Sequence, residues 1–255
     1  MLPLKSLTCH EAEVSAIEGQ IAVITGGSSG VGAALGLALA KARTEIHLIG
    51  RRLGMLESVA AIARIYGSSA NCYSADLGTN SGQSEIAELL VGKLRHVNIL
   101  IHSAGTYFAN PIEKASLADF DTQYQTNVRA PYALTQSLLP LLKGARGQVV
   151  FINSSSGVVA KPSSAQYDST KHALRAIADS LRAELNPHGI RVLSVYLGRT
   201  ASEMQKNIHE REARPYCPER LLQPEDVASV VLNALCLPGT AEVSDIHIRP
   251  MIKSI

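Results

Sequence analysis

Apolar residues in this chain gather into seven short runs, at residues 21–24, 45–49, 70–74, 99–102, 148–152, 191–196 and 245–248, each followed by small or polar residues. Short apolar-rich runs without strict alternation are the pattern of strands buried on both faces. Between most of them, apolar positions return at helical spacing over 32–42, 53–66, 81–92, 117–142, 164–186 and 224–235. Strand alternating with helix predicts a parallel sheet covered on both faces, with right-handed crossovers. Ligands of such sheets bind beyond the carboxyl ends of the strands. Thr25-Gly26, Gly50-Arg51, Asp76, Ser103-Ala104-Gly105, Ser154 and Leu197-Gly198 each fall just after a predicted strand. All six groups are therefore expected along one edge of the sheet.

The first of these groups carries the clearest chemistry. Strand one runs into Thr25-Gly26-Gly27-Ser28-Ser29-Gly30-Val31-Gly32, and a helix of small residues follows at once. Glycines let the backbone turn tightly against a pyrophosphate, whose charge the amides and dipole of a helix N-terminus then stabilise. A glycine-rich strand-to-helix turn is the bland reading, but its position between strand and helix favours a dinucleotide site. The spacing is G-x-x-x-G-x-G, and no Gly-Lys-Ser/Thr follows as a nucleotide-triphosphate loop requires. Strand two ends in Gly50-Arg51-Arg52, where NAD sites place an acid against the ribose 2′-hydroxyl. A guanidinium pairs bidentately with a phosphate, so these arginines point to NADP(H) over NAD(H). Two solvated arginines capping a loop are the alternative.

A second constellation lies downstream. Tyr167 and Lys171 stand four residues apart in a predicted helix, and Ser154 precedes Tyr167 by thirteen. Residues i and i+4 share a helix face, so a phenol and an ammonium point the same way. Alone, such a pair reads as a solvated face. Beside a dinucleotide cradle it reads as an acid/base group, since an ammonium that favours the phenolate brings a phenol closer to neutral exchange.

Composition narrows the setting. A chain of 255 residues with 46% hydrophobic content can bury one large core. We expect an N-terminal extension at 1–18 and a single catalytic domain at 19–255. Net charge is +2 with the signs interspersed, which excludes a nucleic-acid footprint. No stretch of eighteen apolar residues suggests a membrane span, and residues 1–18 do not resemble a signal or transit peptide, so the expected compartment is cytoplasmic. The cysteines at 9, 72, 217 and 236 form no C-x-x-C pair and are expected as reduced thiols, mostly in the core. No metal-ligand spacing is present in the sequence.

Taken in order, these residues resemble the short-chain dehydrogenase/reductase family over about residues 19–250. The matching elements are 25–32, Asp76-Leu77, Ala104-Gly105, Asn127, Ser154 and Tyr167-x-x-x-Lys171. The resemblance implies a three-layer, Rossmann-type, doubly wound α/β fold with a mostly parallel seven-stranded sheet. It also implies a homodimer or homotetramer built through the long helices at 117–142 and 164–186. The implied coenzyme set is Gly26, Ser28, Ser29, Gly30, Val31, Gly32, Arg51, Arg52, Asp76, Leu77, Ser103, Ala104, Gly105, Tyr167, Lys171, Gly198 and Thr200. Within it, Asp76 would meet the adenine edge and Ser28 a phosphate or ribose, although either could simply cap a turn.

The resemblance also assigns chemistry. Tyr167 would be the general acid in reduction and base in oxidation, and Lys171 would hold the nicotinamide ribose as well as lower the tyrosine pKa. Ser154 would hydrogen-bond the substrate oxygen, and Asn127 would hold a water linking Lys171 to solvent. The substrate pocket would draw on Tyr107, Phe108, Val158, Tyr196 and a mobile, charged lid at 199–222. Three departures from the family pattern stand out: His102-Ser103 in place of Asn-Asn, Leu197 in place of Pro before Gly198, and Ser202 in place of Thr. The first requires the sheet to be supported differently. The expected activity is hydride transfer between NADP(H) and a small-molecule carbonyl or secondary alcohol. A non-catalytic NADP(H)-binding sensor or scaffold, or a sugar-nucleotide epimerase or dehydratase, would share parts of the same set.

Overall fold

A computed structural model of the protein describes residues 16–252, so most of the expected extension, and Cys9, lie outside the described residues. The strands are β1 (Ile21–Thr25), β2 (Glu45–Gly50), β3 (Ala70–Ser74), β4 (Ile99–His102), β5 (Gln148–Ser154), β6 (Arg191–Leu197) and β7 (Asp245–Ile248). They form one sheet in the order β3-β2-β1-β4-β5-β6-β7, every neighbouring pair parallel. The chain steps outward from β1 to β3, then returns to β4 on the other side of β1. That reversal leaves a crevice between the β1 and β4 loops. The strands match the expected runs, and β1, β2, β5 and β6 run one or two residues further because their neighbours pair with them to the end, as Ser154 does with Leu197.

Eight helices connect the strands among the described residues: α1 (Gly30–Lys41), α2 (Leu53–Ile65), α3 (Asn80–Lys93), α4 (Leu117–Tyr124), α5 (Ala130–Ala145), α6 (Ala165–Leu185), α7 (Glu203–Arg211) and α8 (Pro224–Leu235). The near-continuous apolar strands are explained by two cores, one per sheet face. Ala22 and Ile24 of β1 face a core with Leu35 and Leu39 of α1, Leu56 of α2 and Val227 and Val231 of α8. Val23, between them, faces the other with Leu90 of α3, Leu138 and Leu142 of α5, and Leu174 of α6. Ile17 is buried in the first core and its carbonyl accepts from Thr44 Oγ1 at 3.0 Å, so chain packing reaches into the segment read as an extension.

Three local features depart from expectation. The helix expected over 117–142 is interrupted by a π-helical turn at Gln125–Arg129. Pro131, at the start of α5, has no N–H and its ring crowds the carbonyl four residues back, at Asn127, which displaces the regular ladder there. Asn127 therefore sits in the widened turn, a geometry common at functional sites. The described cysteines are half-buried rather than fully buried, Cys72 and Cys236 packing against the first core.

His102 is the third. It is buried at the end of β4, its Nε2 lies 2.8 Å from Thr135 Oγ1, and its ring stacks on Phe151 at 5.1 Å. Thr135 Oγ1 donates to Pro131 O at 2.8 Å, so it accepts from His102, which is thereby held as the Nε2–H tautomer. This contact ties the end of β4 to α5. Burial holds the imidazole neutral, with its pKa lowered to about 3. Because the folded value lies below the unfolded one, the associated stability is full above about pH 6.5 and is lost as pH falls toward 3. His102→Gln keeps a donor for Thr135 and removes the titration. Its unfolding free energy, measured by urea denaturation across that window, is expected to fall less steeply with acid, by about one proton's worth of slope.

Candidate active site

The β1 loop and the N-terminus of α1 form the predicted cradle. Gly26 has φ +69°, and a Cβ there would lie 2.7 Å from the Ala104 amide nitrogen, so only glycine allows the β1 and β4 loops to touch. A Cβ on Gly32 would lie 2.3 Å from the Gly26 carbonyl oxygen, so the first helical turn packs directly on the loop. The junction is tied by Thr25, whose Oγ1 accepts from the amides of Ser103 at 3.1 Å and Ala104 at 3.2 Å and donates to Ile101 O at 3.4 Å. Ser28, Ser29, Gly30 and Val31 are partly exposed along the cradle. A pyrophosphate fits such a surface: a glycine-lined loop leading into the backbone amides of a helix N-terminus.

Both arginines after β2 are exposed. Arg52 Nη2 donates to Ser29 Oγ at 3.3 Å and its Nη1 pairs with Glu203 of α7 at 3.0 Å. Asp76 closes a turn: its Oδ1 accepts from Gly78 N at 2.9 Å and its carbonyl from Thr79 Oγ1 at 3.0 Å. Leu77 is buried in the second core. Thr200 is buried, donating to Gly198 O at 3.1 Å, and Gly198 N donates to Ile248 O at 2.8 Å. The amide that follows Leu197 is thus fixed by β7 without the family's proline.

The β5 end, α6 and the π turn bring the second constellation together. Ser154 is the last residue of β5, and its amide donates to Asn153 Oδ1 at 2.8 Å while Asn153 Nδ2 donates to Lys171 O at 3.2 Å. β5 and α6 are thereby held in register, which sets Ser154 beside the Tyr167 phenol. Lys171 Nζ lies 5.7 Å from the centre of the Tyr167 ring and donates to Ile152 O at 3.2 Å. Tyr107 meets Tyr167 edge to face at 4.8 Å. Asn127 is buried; its Nδ2 donates to Thr106 O at 2.9 Å and Thr170 Oγ1 at 3.1 Å, and its Oδ1 accepts from Thr106 N at 2.9 Å. It pins the loop after β4 against α6. Thr25 was expected only as the start of the coenzyme motif, and Thr106 and Thr170 were given no part, since a threonine's tertiary partners leave no local pattern.

The electrostatics correct one expectation. Burial pushes the Tyr167 phenol above its usual pKa, and Ser154 beside it only partly opposes this. The lysine does not bring it down. Burial instead lowers Lys171 itself, to about 8. Both shifts have one cause, because a dry site disfavours phenolate and ammonium alike.

Val158 is 38% exposed beside the Ser154 turn, and Arg211 stacks over Phe108 at 5.9 Å. Tyr196, however, lies in the sheet face under α6, stacked on His247 at 4.6 Å with Arg175 above it at 6.0 Å, and does not line the site. Strand alternation puts it there. The segment at 199–222, expected as a mobile lid, contains the capped helix α7, whose N-cap Ser202 accepts from Gln205 N at 3.1 Å. Arg199 pairs with Glu212 at 2.8 Å, and Thr200 bridges to Leu222.

A family model described as short chain dehydrogenase matches residues 20–213. An uncharacterized oxidoreductase of Staphylococcus epidermidis is 29% identical over 236 residues, spanning 92% of this chain and 99% of its own. A metagenomic short-chain oxidoreductase, solved in complex with NADP, is 26% identical and superposes with a TM-score of 0.80, covering 94% of this chain and 100% of its own. The fold is also that of an alcohol dehydrogenase from the archaeon Thermococcus sibiricus complexed with 5-hydroxy-NADP, at a TM-score of 0.84, 24% identity, and coverage of 93% and 99%.

The buried ammonium carries a stability cost that follows from its sign. With a folded pKa near 8 against an unfolded one of 10.5, the penalty grows as pH falls between those values and is full below about 8. Lys171→Met is expected to raise unfolding free energy at pH 7 by up to roughly 3 kcal/mol. The gain should vanish above about pH 10.5, as read by guanidinium denaturation at several pH values.

Proposed function

We propose that this chain, which belongs to the short chain dehydrogenase family, transfers a hydride between NADP(H) and a carbonyl or secondary alcohol, using Tyr167 as its proton-transfer group. The observation that carries this reading is Ser154 beside Tyr167, with Lys171 Nζ 5.7 Å from the centre of the phenol ring, on the same sheet edge as the glycine cradle. The cradle fits a pyrophosphate, and Arg51 and Arg52 offer guanidinium groups where a 2′-phosphate would lie; the metagenomic relative solved with NADP supports that choice. Asp76, Leu77, Ser103, Gly105, Gly198 and Thr200 would border the same cofactor.

When bound, the nicotinamide supplies or accepts the hydride at the carbonyl carbon. Ser154 and Tyr167 together hold the substrate oxygen between two hydroxyls, aimed where negative charge develops in reduction. Tyr167 gives that oxygen its proton, and the resulting phenolate is balanced by Lys171, whose pKa near 8 lets it release or regain a proton around neutral pH. In oxidation the same proton returns to Tyr167. Asn127 keeps the 105–108 loop, and with it Tyr107, against α6. Tyr107 and Val158 would flank the substrate. Ile112, Leu117, Tyr124 and Tyr132, all exposed on and near α4 and α5, support a homo-oligomer through that face.

The test is to follow NADPH absorbance with a panel of ketones, 3-oxoacyl thioesters, sugars and steroids. Oxidation by at least one class is expected, and Tyr167→Phe should lose most of kcat while binding NADPH as before. Normal kcat in that variant would end the assignment of Tyr167, and tight NADPH binding with no turnover on any class would favour a sensor instead.

A further inference from the structure

Arg52 joins three separate segments. It is the N-cap residue of α2, directly after β2, and its guanidinium reaches both the cradle and α7. Ser29, the N-cap residue of α1, makes no side-chain bond to its own helix, and its hydroxyl accepts from Arg52 instead. On the other side, Glu203 Oε2 lies 3.0 Å from Arg52 Nη1. Glu203 stands in the first turn of α7, where the helix dipole favours a carboxylate. The start of α7 also rests on the cradle, since a Cβ on Gly30 would lie 3.6 Å from Ser202 Cβ. A carboxylate of this chain thus occupies the guanidinium that would otherwise face a phosphate.

Resting on the reading of the arginine pair as the 2′-phosphate receptor, we infer that Glu203 opposes that phosphate at Arg52 and thereby sets the balance between NADP(H) and NAD(H). A phosphate monoester near neutral pH carries close to two negative charges and seeks the same paired N–H groups that Glu203 holds. Two anions on one guanidinium repel, so NADP(H) must displace Glu203 or bind against its field. NAD(H) presents a neutral hydroxyl at that place and meets no such opposition. Arg51 makes no ion pair among the described residues, and so offers a second cation without a competing acid. The side chains of Arg52 and Glu203 are 49% and 62% exposed, so water and salt keep the effect modest.

The experiment measures dissociation constants for NADPH and NADH, by the fluorescence of each cofactor, in the wild type, Glu203→Gln, Arg52→Gln and the double variant. Glu203→Gln is expected to bind NADPH about threefold to tenfold more tightly, with NADH changed less than about twofold, and the gain should shrink at high salt. In the Arg52→Gln background the same substitution should give less than half of that gain on a logarithmic scale. Unchanged or weaker NADPH binding in Glu203→Gln overturns the inference, as does an equal change for both cofactors, which would mark a general effect on the fold of α7. The wild-type ratio tests the underlying reading separately: binding NADH as tightly as NADPH defeats the cofactor preference, while the response to Glu203→Gln still decides the role of this carboxylate.

Discussion

One buried hydroxyl holds the candidate site open in the right place. Thr25 Oγ1 accepts from two successive amides, Ser103 and Ala104, and donates its proton to Ile101, which uses its full hydrogen-bonding capacity. The bonds join the β1 and β4 loops at the point where the strand order reverses, so the crevice that a doubly wound sheet leaves there has a fixed floor. Glycine at 26 is the steric counterpart of the same contact. Because the β1 and β4 loops meet backbone to backbone, no side chain separates them at that point. Ser154 is then placed by parallel register, β5 carrying it opposite Leu197 of β6.

The cost of building chemistry on this edge is desolvation. Tyr167 and Lys171 share a helix face, as the sequence spacing requires, yet the face is turned into the protein, where burial dominates both pKa values. The arrangement keeps the phenol neutral and makes the ammonium willing to part with its proton. An exposed pair at the same spacing would have had a strong acid-base mismatch and little mutual influence, because solvent screens it. Burial disfavours the charged form of both side chains at once. It also explains why the sequence expectation of a tyrosine pulled down by its lysine fails here: spacing reports which groups are adjacent, and dryness decides which way they shift.

The legible parts of the structure are those written in local pattern. Short apolar-rich runs marked all seven strands, the cradle was visible in its glycines, and the spacing from Ser154 to Tyr167 brings the two residues together in the fold. What the chain did not disclose depends on tertiary partners. The π turn arises because Pro131 follows Asn127 by one turn, a conflict hidden inside a uniform apolar helix pattern. Tyr196 was expected near the pocket from its place late in β6, but strand alternation turns it under α6. Thr25 and Thr135 serve as anchors only because strands and helices distant in sequence deliver backbone groups and His102 to them.

The segment around α7 shows the same distinction in energetic terms. Its mixed charges read as a solvated, loosely ordered stretch, and they are in fact paired: Arg52 with Glu203 at one end of the helix, Arg199 with Glu212 at the other. Half-exposed pairs of this kind contribute about 0–1 kcal/mol each. The helix has only two fully buried side chains, Gln205 and His209, both polar and hydrogen-bonded to each other. Little apolar area therefore fixes it to the sheet, in contrast to α1 and α6, which are anchored in the two cores. An element held by screened charges and one backbone bridge can be ordered in this structure and still be released for little free energy. Its composition encodes that low attachment, and the ion pairs decide only where it rests.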